Sequence, residues 1–154
     1  MKLLISIANF FIYPVVKIYW RIFKPKTIGV KVFIKHGNKV LFVRNSYGTK
    51  SWTLPGGGVK RGESLEVAAK REVWEETGIK LDEVINKGSF FYDGEGKQNT
   101  IFVFLAEVNS DFVKIDNVEI QAASWEDIDS LTLSKSPIAK KCFELAGYEI
   151  ESRT

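Results

Sequence analysis

Gly56-Gly57-Gly58-Val59-Lys60-Arg61-Gly62-Glu63-Ser64-Leu65-Glu66-Val67-Ala68-Ala69-Lys70-Arg71-Glu72-Val73-Trp74-Glu75-Glu76-Thr77-Gly78 is the stretch on which the reading of this chain turns. Its second half predicts a helix over Ser64–Thr77, with Ser64 as N-cap and Gly78 as the stop. Leu65, Ala68, Ala69, Glu72 and Glu76 recur at i, i+3, i+4, i+7 and i+11 and share one helical face. Glu75 lies about 60° to one side of Glu72 and Glu76 about 40° to the other, so three carboxylates occupy one arc of about 100°. Like charges at this spacing repel, and when partly desolvated they take up protons unless a cation holds them. Hard oxygen donors in such a cluster suit Mg²⁺ or Mn²⁺. The plainer alternative is a solvated acidic face. Val67 and Trp74 lie on the opposite side with Lys70, which predicts that this side is packed too. The three glycines let main-chain groups approach a ligand without side-chain obstruction, close to the positive end of the helix dipole. A tight turn is the alternative for the glycines alone.

The rest of the composition narrows the chemistry. The chain has 154 residues, which is one domain's worth, with 45% apolar and 27% charged residues. Its single cysteine, Cys142, excludes an internal disulfide and a thiolate zinc cluster. Its single histidine, His36, excludes a His-rich metal site, and its place beside Gly37-Asn38 predicts a solvated turn residue. Carboxylates are left as the reactive groups. Residues 1–62 hold twelve Lys or Arg and no acid, whereas residues 63–154 hold ten basic and nineteen acidic residues. A basic half joined to an acidic half suits a polyanion on one side and a cation on the other, unless folding intersperses the charges.

Alternation and turn residues place the remaining elements. Thr27–Lys35 and Lys39–Arg44 read as a hairpin around His36-Gly37-Asn38. Lys87–Tyr92 and Thr100–Val108 read as a second hairpin, Ile120–Trp125 as a last strand, and Ser136–Ala146 as a closing helix. A mixed sheet with helices on its faces follows. Residues 1–26 stand apart. Their apolar core, Leu3–Val16, has 14 residues, short of the roughly 20 a membrane span needs. Lys17, Arg21 and Lys24 fall on one helical face, the layout of a basic amphipathic helix on an anionic membrane surface. A helix packed on the domain, or a homodimer contact, is the alternative. The expected location is cytoplasmic, with membrane association one of the alternatives left open for this segment.

Gly57-x5-Glu63-x7-Arg71-Glu72-Val73-Trp74-Glu75-Glu76-Thr77-Gly78-Ile79 resembles the signature of the Nudix hydrolases (MutT-like), with every fixed position present over 23 residues. The likeness extends from about Thr27 to Leu145, through Leu54-Pro55-Gly56-Gly57 and Asn117-Val118-Glu119. It implies a Nudix-like α/β/α sandwich with a mixed β-sheet over residues 27–154; the apolar and basic helical segment of residues 1–26 lies outside the likeness. It implies a hydrolase that cleaves a pyrophosphate bond in a nucleoside diphosphate linked to another group, such as a nucleoside triphosphate, a nucleotide sugar or a dinucleotide. Carried onto this chain, Glu72, Glu75 and Glu76 would hold Mg²⁺ or Mn²⁺, with the Gly57 carbonyl as a further ligand. Glu72 would orient or deprotonate the attacking water, and Glu63 and Arg71 would fix the loop to the helix. Members differ in the identity of the base, so Glu119, and more weakly Glu95, are alternatives. Gly56, Gly57 and Gly58 would meet the phosphates. Arg44 would do so too, unless it forms a rim salt bridge.

Substrate choice lies outside the signature. Members that cleave ADP-ribose commonly carry a proline downstream, where this chain has Glu95, so that substrate is disfavoured. Tyr47, Trp52, Phe91 and Tyr92 are candidates for stacking on a base. The isomerase branch uses a catalytic cysteine, whereas Cys142 in the closing helix reads as a small buried hydrophobe. There is no signature for nucleic-acid base readout. Two other classes share these features: a Nudix fold that senses a nucleotide without cleaving it, and a membrane-docked interaction protein whose function resides in residues 1–26.

Overall fold

The computed structural model describes residues 15, 18, 26–46, 51–94, 97–115, 118–131 and 137–148. Val15 and Ile18 are helical and exposed. The rest of the N-terminal segment, Tyr47, Glu95 and Asn117 lie outside the described residues.

Strand β1 (Lys26–His36) turns through Gly37, at φ +58, into β2 (Lys39–Asn45). The two pair only beside the turn, Lys35 with Val40 and His36 with Lys39. Beyond that point β1 takes a parallel partner, β5 (Lys97–Glu107), from Lys26↔Gln98 to Lys35↔Glu107. Strand β4 (Ile85–Gly94) completes an antiparallel hairpin with β5, with a register shift between Asn86 and Gly88. On its other edge β2 pairs along its length with β6 (Ile120–Asp127), and short β3 (Trp52–Thr53) pairs with Arg44 and Val43. The sheet is therefore mixed, in the order β3-β2-β1-β5-β4 with β6 added on β2.

Two helices cover its faces. Helix α1 (Leu65–Thr77) buries Ala68, Ala69 and Val73 against Val30, Val32, Ile34, Leu41 and Phe104. Helix α2 (Pro137–Ala146) buries Ala139, Cys142 and Phe143 against Phe33, Val40, Phe42 and Val103. Alternate residues of β1 thus supply both cores, as the period of a strand requires. The ring of Phe143 meets Phe33 edge-on with centroids 4.7 Å apart. The result is the expected α/β/α sandwich.

The ends of α1 are set by the residues expected to set them. The Ser64 hydroxyl accepts from Val67 N at 3.3 Å. Gly78, at φ +69, donates its N–H to the Trp74 carbonyl at 2.9 Å. Two expectations fail nearby. Val67 and Trp74 are 56% and 55% exposed, so the far side of α1 faces solvent. The sheet side is made from alanines and Val73, whose small volume lets the helix sit close. His36 is half-buried rather than solvated, with Nδ1 3.0 Å from the Val108 carbonyl and its ring edge-on to Trp125. Cys142 is fully buried as expected, and burial pushes its thiol up to about 12.

Candidate active site

Because β1 and β2 diverge after their turn, β1 is left with an edge of unpaired main-chain groups. The glycine loop fills it. Val32 N donates to Pro55 O at 2.9 Å, Val30 N to Gly57 O at 2.9 Å, and Val59 N to Ile28 O at 3.0 Å. The Lys31 ammonium adds bonds to Leu54 O at 2.8 Å and Gly56 O at 3.0 Å. The loop is therefore fixed to the sheet before any ligand is considered.

Arg71 fixes it to the helix. Its guanidinium donates to both Glu63 oxygens, Nε at 2.7 Å and Nη2 at 2.9 Å, and Nη2 also reaches Gly58 O at 2.9 Å. Nη1 donates to Glu72 Oε1 at 2.7 Å and Glu75 Oε2 at 3.0 Å. The bidentate pairing with Glu63 has the geometry that planar guanidinium favours. Glu63 also accepts the Lys60 N–H at 2.9 Å. The hydrogen bonds from Arg71, then from Lys60, hold its carboxyl down at about 2. The same contacts raise Arg71 further above its ordinary value, that to Glu63 first.

Glu76 and Glu72 lie deeper. Glu76 is 7% exposed, and its carboxylate accepts the Gly56 N–H at 2.9 Å. Burial pushes it up to about 7; Lys31 and the Gly56 N–H oppose this, and Glu72 and Glu119 reinforce it. Glu72 packs directly on Gly57, where a Cβ would fall 2.6 Å from Glu72 Oε2. Glycine is needed there for close approach. Glu119 is carried by a segment tied to the end of β2, where Ser46 N donates to Glu119 O at 2.8 Å and Ser46 Oγ to Val118 O.

Gly56, Gly57, Gly58, Glu72, Glu76 and Glu119 all line one cavity of about 540 Å³, which continues past Lys31, Trp52 and Tyr92. That is an ordinary volume for a small-ligand site. Glu75 departs from the expected arc. Its side chain is 43% exposed and turned toward Arg71 and the Lys60 ammonium, 3.9 Å away, so it stands at the rim. Arg44 is absent from the cavity wall and lies 5.4 Å over the Trp52 ring. Phe91 is 63% exposed and also outside the wall. Lys31 was not singled out from the sequence, although a lysine between the apolar Val30 and Val32 was a usable signal.

Among the described residues no three acidic, histidine or cysteine side chains already converge as a metal centre. Arg71 Nη1 bonds one oxygen each of Glu72 and Glu75. The donor set nonetheless fits a hard divalent cation. Glu72 and Glu76 are carboxylates on one wall, the Gly57 carbonyl keeps a second lone pair, and the ionised form of Glu76 is disfavoured where it stands. A cation would remove that penalty.

The NUDIX domain model matches residues 25–145. The chain belongs to the Nudix family. It is similar to the RNA pyrophosphohydrolase of Wolbachia pipientis subsp. Culex pipiens (strain wPip), with 28% identity over 146 residues, covering 81% of this chain and 88% of that protein. It is 28% identical over 112 residues to the NAD-capped RNA hydrolase NudC of Chromobacterium violaceum, covering 72% of this chain and 42% of the relative. The crystal structure of the MutT protein from Methanosarcina mazei Go1 superimposes with a TM-score of 0.70 at 30% identity, covering 79% of this chain and 92% of that one. The protein is a Nudix hydrolase acting on phosphoric anhydrides, from a family that generally uses divalent metal ions and nucleotide substrates.

Proposed function

We propose that this chain hydrolyses the pyrophosphate bond of a nucleoside diphosphate derivative in the cavity between the glycine loop and α1. One observation carries the reading: Glu72, Glu76, Glu119 and the glycine loop line a single cavity. In this reading Glu72, Glu76 and the Gly57 carbonyl hold Mg²⁺ or Mn²⁺, with Glu75 reaching in from the rim. When bound, the cation would neutralise phosphoryl charge and make water more acidic. Glu72 takes the proton of the attacking water, or Glu119, which lines the same cavity, does so. Gly56–Gly58 lie against the phosphates, and the Lys31 charge beside them favours an anion. Glu63 and Arg71 position the loop against the helix and do not touch the reacting atoms.

The relatives' names bring the 5′ end of RNA onto the substrate panel. Nucleoside triphosphates, dinucleoside polyphosphates, nucleotide sugars and 5′-triphosphate or capped RNA are assayed with Mg²⁺ or Mn²⁺. Glu76→Gln is the control. Cleavage by the wild type and a loss of 100-fold or more in the control is expected for the loss of a charged group at the reacting centre. Equal behaviour on every compound would overturn the reading. Glu72→Gln and Glu119→Gln then identify the base, the true one losing the dependence of rate on pH.

Residues 1–26 are read as localising this cytoplasmic enzyme on an anionic membrane surface. No helix among the described residues is long and apolar enough to cross a membrane. Removing the segment is expected to abolish binding to anionic liposomes and leave turnover unchanged. A shift to monomer on removal would instead assign it to a homodimer contact.

A further inference from the structure

The cavity begins where residues 1–26 end. Lys26 is the first residue of β1, and Thr27 and Ile28 already line the cavity. Two residues of strand advance about 7 Å, so a surface that holds the segment lies close to the cavity. The segment's apolar run, Leu3–Val16, is followed by Lys17, Arg21 and Lys24, and residues 1–26 contain no acid. Its described residues Val15 and Ile18 are both exposed.

The strand ends beside the cavity carry apolar side chains of their own. On one face of β1, helix α1 covers Val30, Val32 and Ile34. Ile28, next in that alternation, is 51% exposed. It stands in register with Thr100 of β5, and Thr100 with Phe91 of β4, so Ile28 and exposed Phe91 share this face. Trp52, on the cavity wall, is 40% exposed. Single apolar residues on a surface need no explanation, but a set gathered beside a cavity marks an interaction site. The next row, Lys26, Gln98 and Asp93, carries one charge of each sign. Attraction to an anionic surface therefore comes from the segment, and this rim supplies apolar contact.

We propose that the substrate is a nucleoside diphosphate whose second moiety is a lipid, taken from the surface of an anionic membrane, with Ile28, Phe91 and Trp52 meeting the lipid while residues 1–26 hold the enzyme there. The inference rests on the hydrolase reading and on the membrane reading of residues 1–26, and it names the group that the nucleoside diphosphate carries. Anchoring raises the effective concentration only of substrates that share the surface. A nucleotide in free solution gains nothing from it. The reaction is hydrolysis of the P–O–P link. The water oxygen joins one phosphorus, and the bridging oxygen leaves on the other with the bonding pair. One water proton passes to the base, and the second stays on the new phosphate until it ionises. A nucleoside monophosphate enters solution, and a lipid phosphate stays in the membrane.

The test compares two series on the full chain with Mg²⁺. One is the cytidine, uridine, adenosine and guanosine diphosphates esterified to dioleoylglycerol, in vesicles of phosphatidylcholine and phosphatidylglycerol. The other is the same four esterified to glycerol, in solution, so that only the acyl chains differ. For the preferred base, kcat/KM for release of the nucleoside monophosphate is expected to be about tenfold or more higher from the vesicles. Phe91→Asp, at an exposed position off the cavity wall, is expected to cut the vesicle rate about threefold or more and leave the glycerol compounds unchanged. The combined Lys17→Gln, Arg21→Gln and Lys24→Gln variant is expected to do the same. Equal rates on the two series, or cleavage of soluble compounds alone, would overturn the proposal while the hydrolase reading stands. So would a vesicle preference that both variants retain, or a parallel loss on both series in each. Failure of the hydrolase reading shows differently: no compound of either series, and no nucleoside triphosphate, is cleaved.

Discussion

Glu76 makes the stability of the metal-free protein fall with rising pH, and the size of the effect follows from its environment. Its carboxyl rises from an ordinary 4.5 to about 7 because it is buried. The folded state therefore binds more protons than the unfolded state between these values. Stability is fully present below 4.5 and is lost as pH rises through 7. A shift of this size corresponds to about 3 kcal/mol. For a chain of 154 residues that is a fall in Tm of roughly 6–12 °C. Glu63 does not mask it. With its carboxyl held down at about 2, its contribution is present above 4.5 and is lost only below that range. The assay is scanning calorimetry at pH 5, 6, 7 and 8 in chelator, on wild type and Glu76→Gln. The glutamine can still accept the Gly56 N–H. The wild-type Tm should descend with pH, and the variant should stay flat and exceed the wild type at pH 8. Mg²⁺ added at pH 8 should recover much of the wild-type loss. Parallel pH curves for the two proteins would refute the reasoning.

Further outcomes follow from the same geometry. Gly57→Ala places a methyl group 2.6 Å from a Glu72 oxygen, so turnover should fall about 100-fold with the fold retained by circular dichroism. Glu63→Gln breaks the two-pronged grip on Arg71; kcat should drop by about tenfold or more, and the wild-type loss of stability in acid between pH 4.5 and about 2 should disappear from the variant's denaturation curve. Phe143→Ala empties the core beneath the sheet and should destabilise by about 3–5 kcal/mol in urea unfolding, with kcat per folded molecule unchanged. Trp74→Gln, on the solvent side of α1, should move stability by no more than about 0.5 kcal/mol.

The sandwich and the helix of glutamates were legible because their signals are local. Ser64, Gly78 and the spacing of Ala68, Ala69, Glu72 and Glu76 specify a capped helix and its inner face. The β4–β5 hairpin was legible from its turn residues. The divergence of β1 from β2 was not. Nothing in Thr27–Lys35 announces that its main partner is β5, and that pairing is what places the glycine loop on the edge of β1. The fate of Glu75 was hidden for a related reason. Helical periodicity gives the direction of a side chain from the axis, but Arg71 and Lys60 decide where its carboxylate ends. Trp74 shows the opposite error, since a large apolar residue on a helix was taken as a mark of packing.

The long parallel union of β1 with β5 also has a consequence in time. Its two halves are separated by the whole helix that carries the glutamates, and such distant pairings form late. During synthesis the signature segment leaves the ribosome well before the strand that completes its scaffold. The scaffold beneath the cavity is therefore incomplete until β5 has been made.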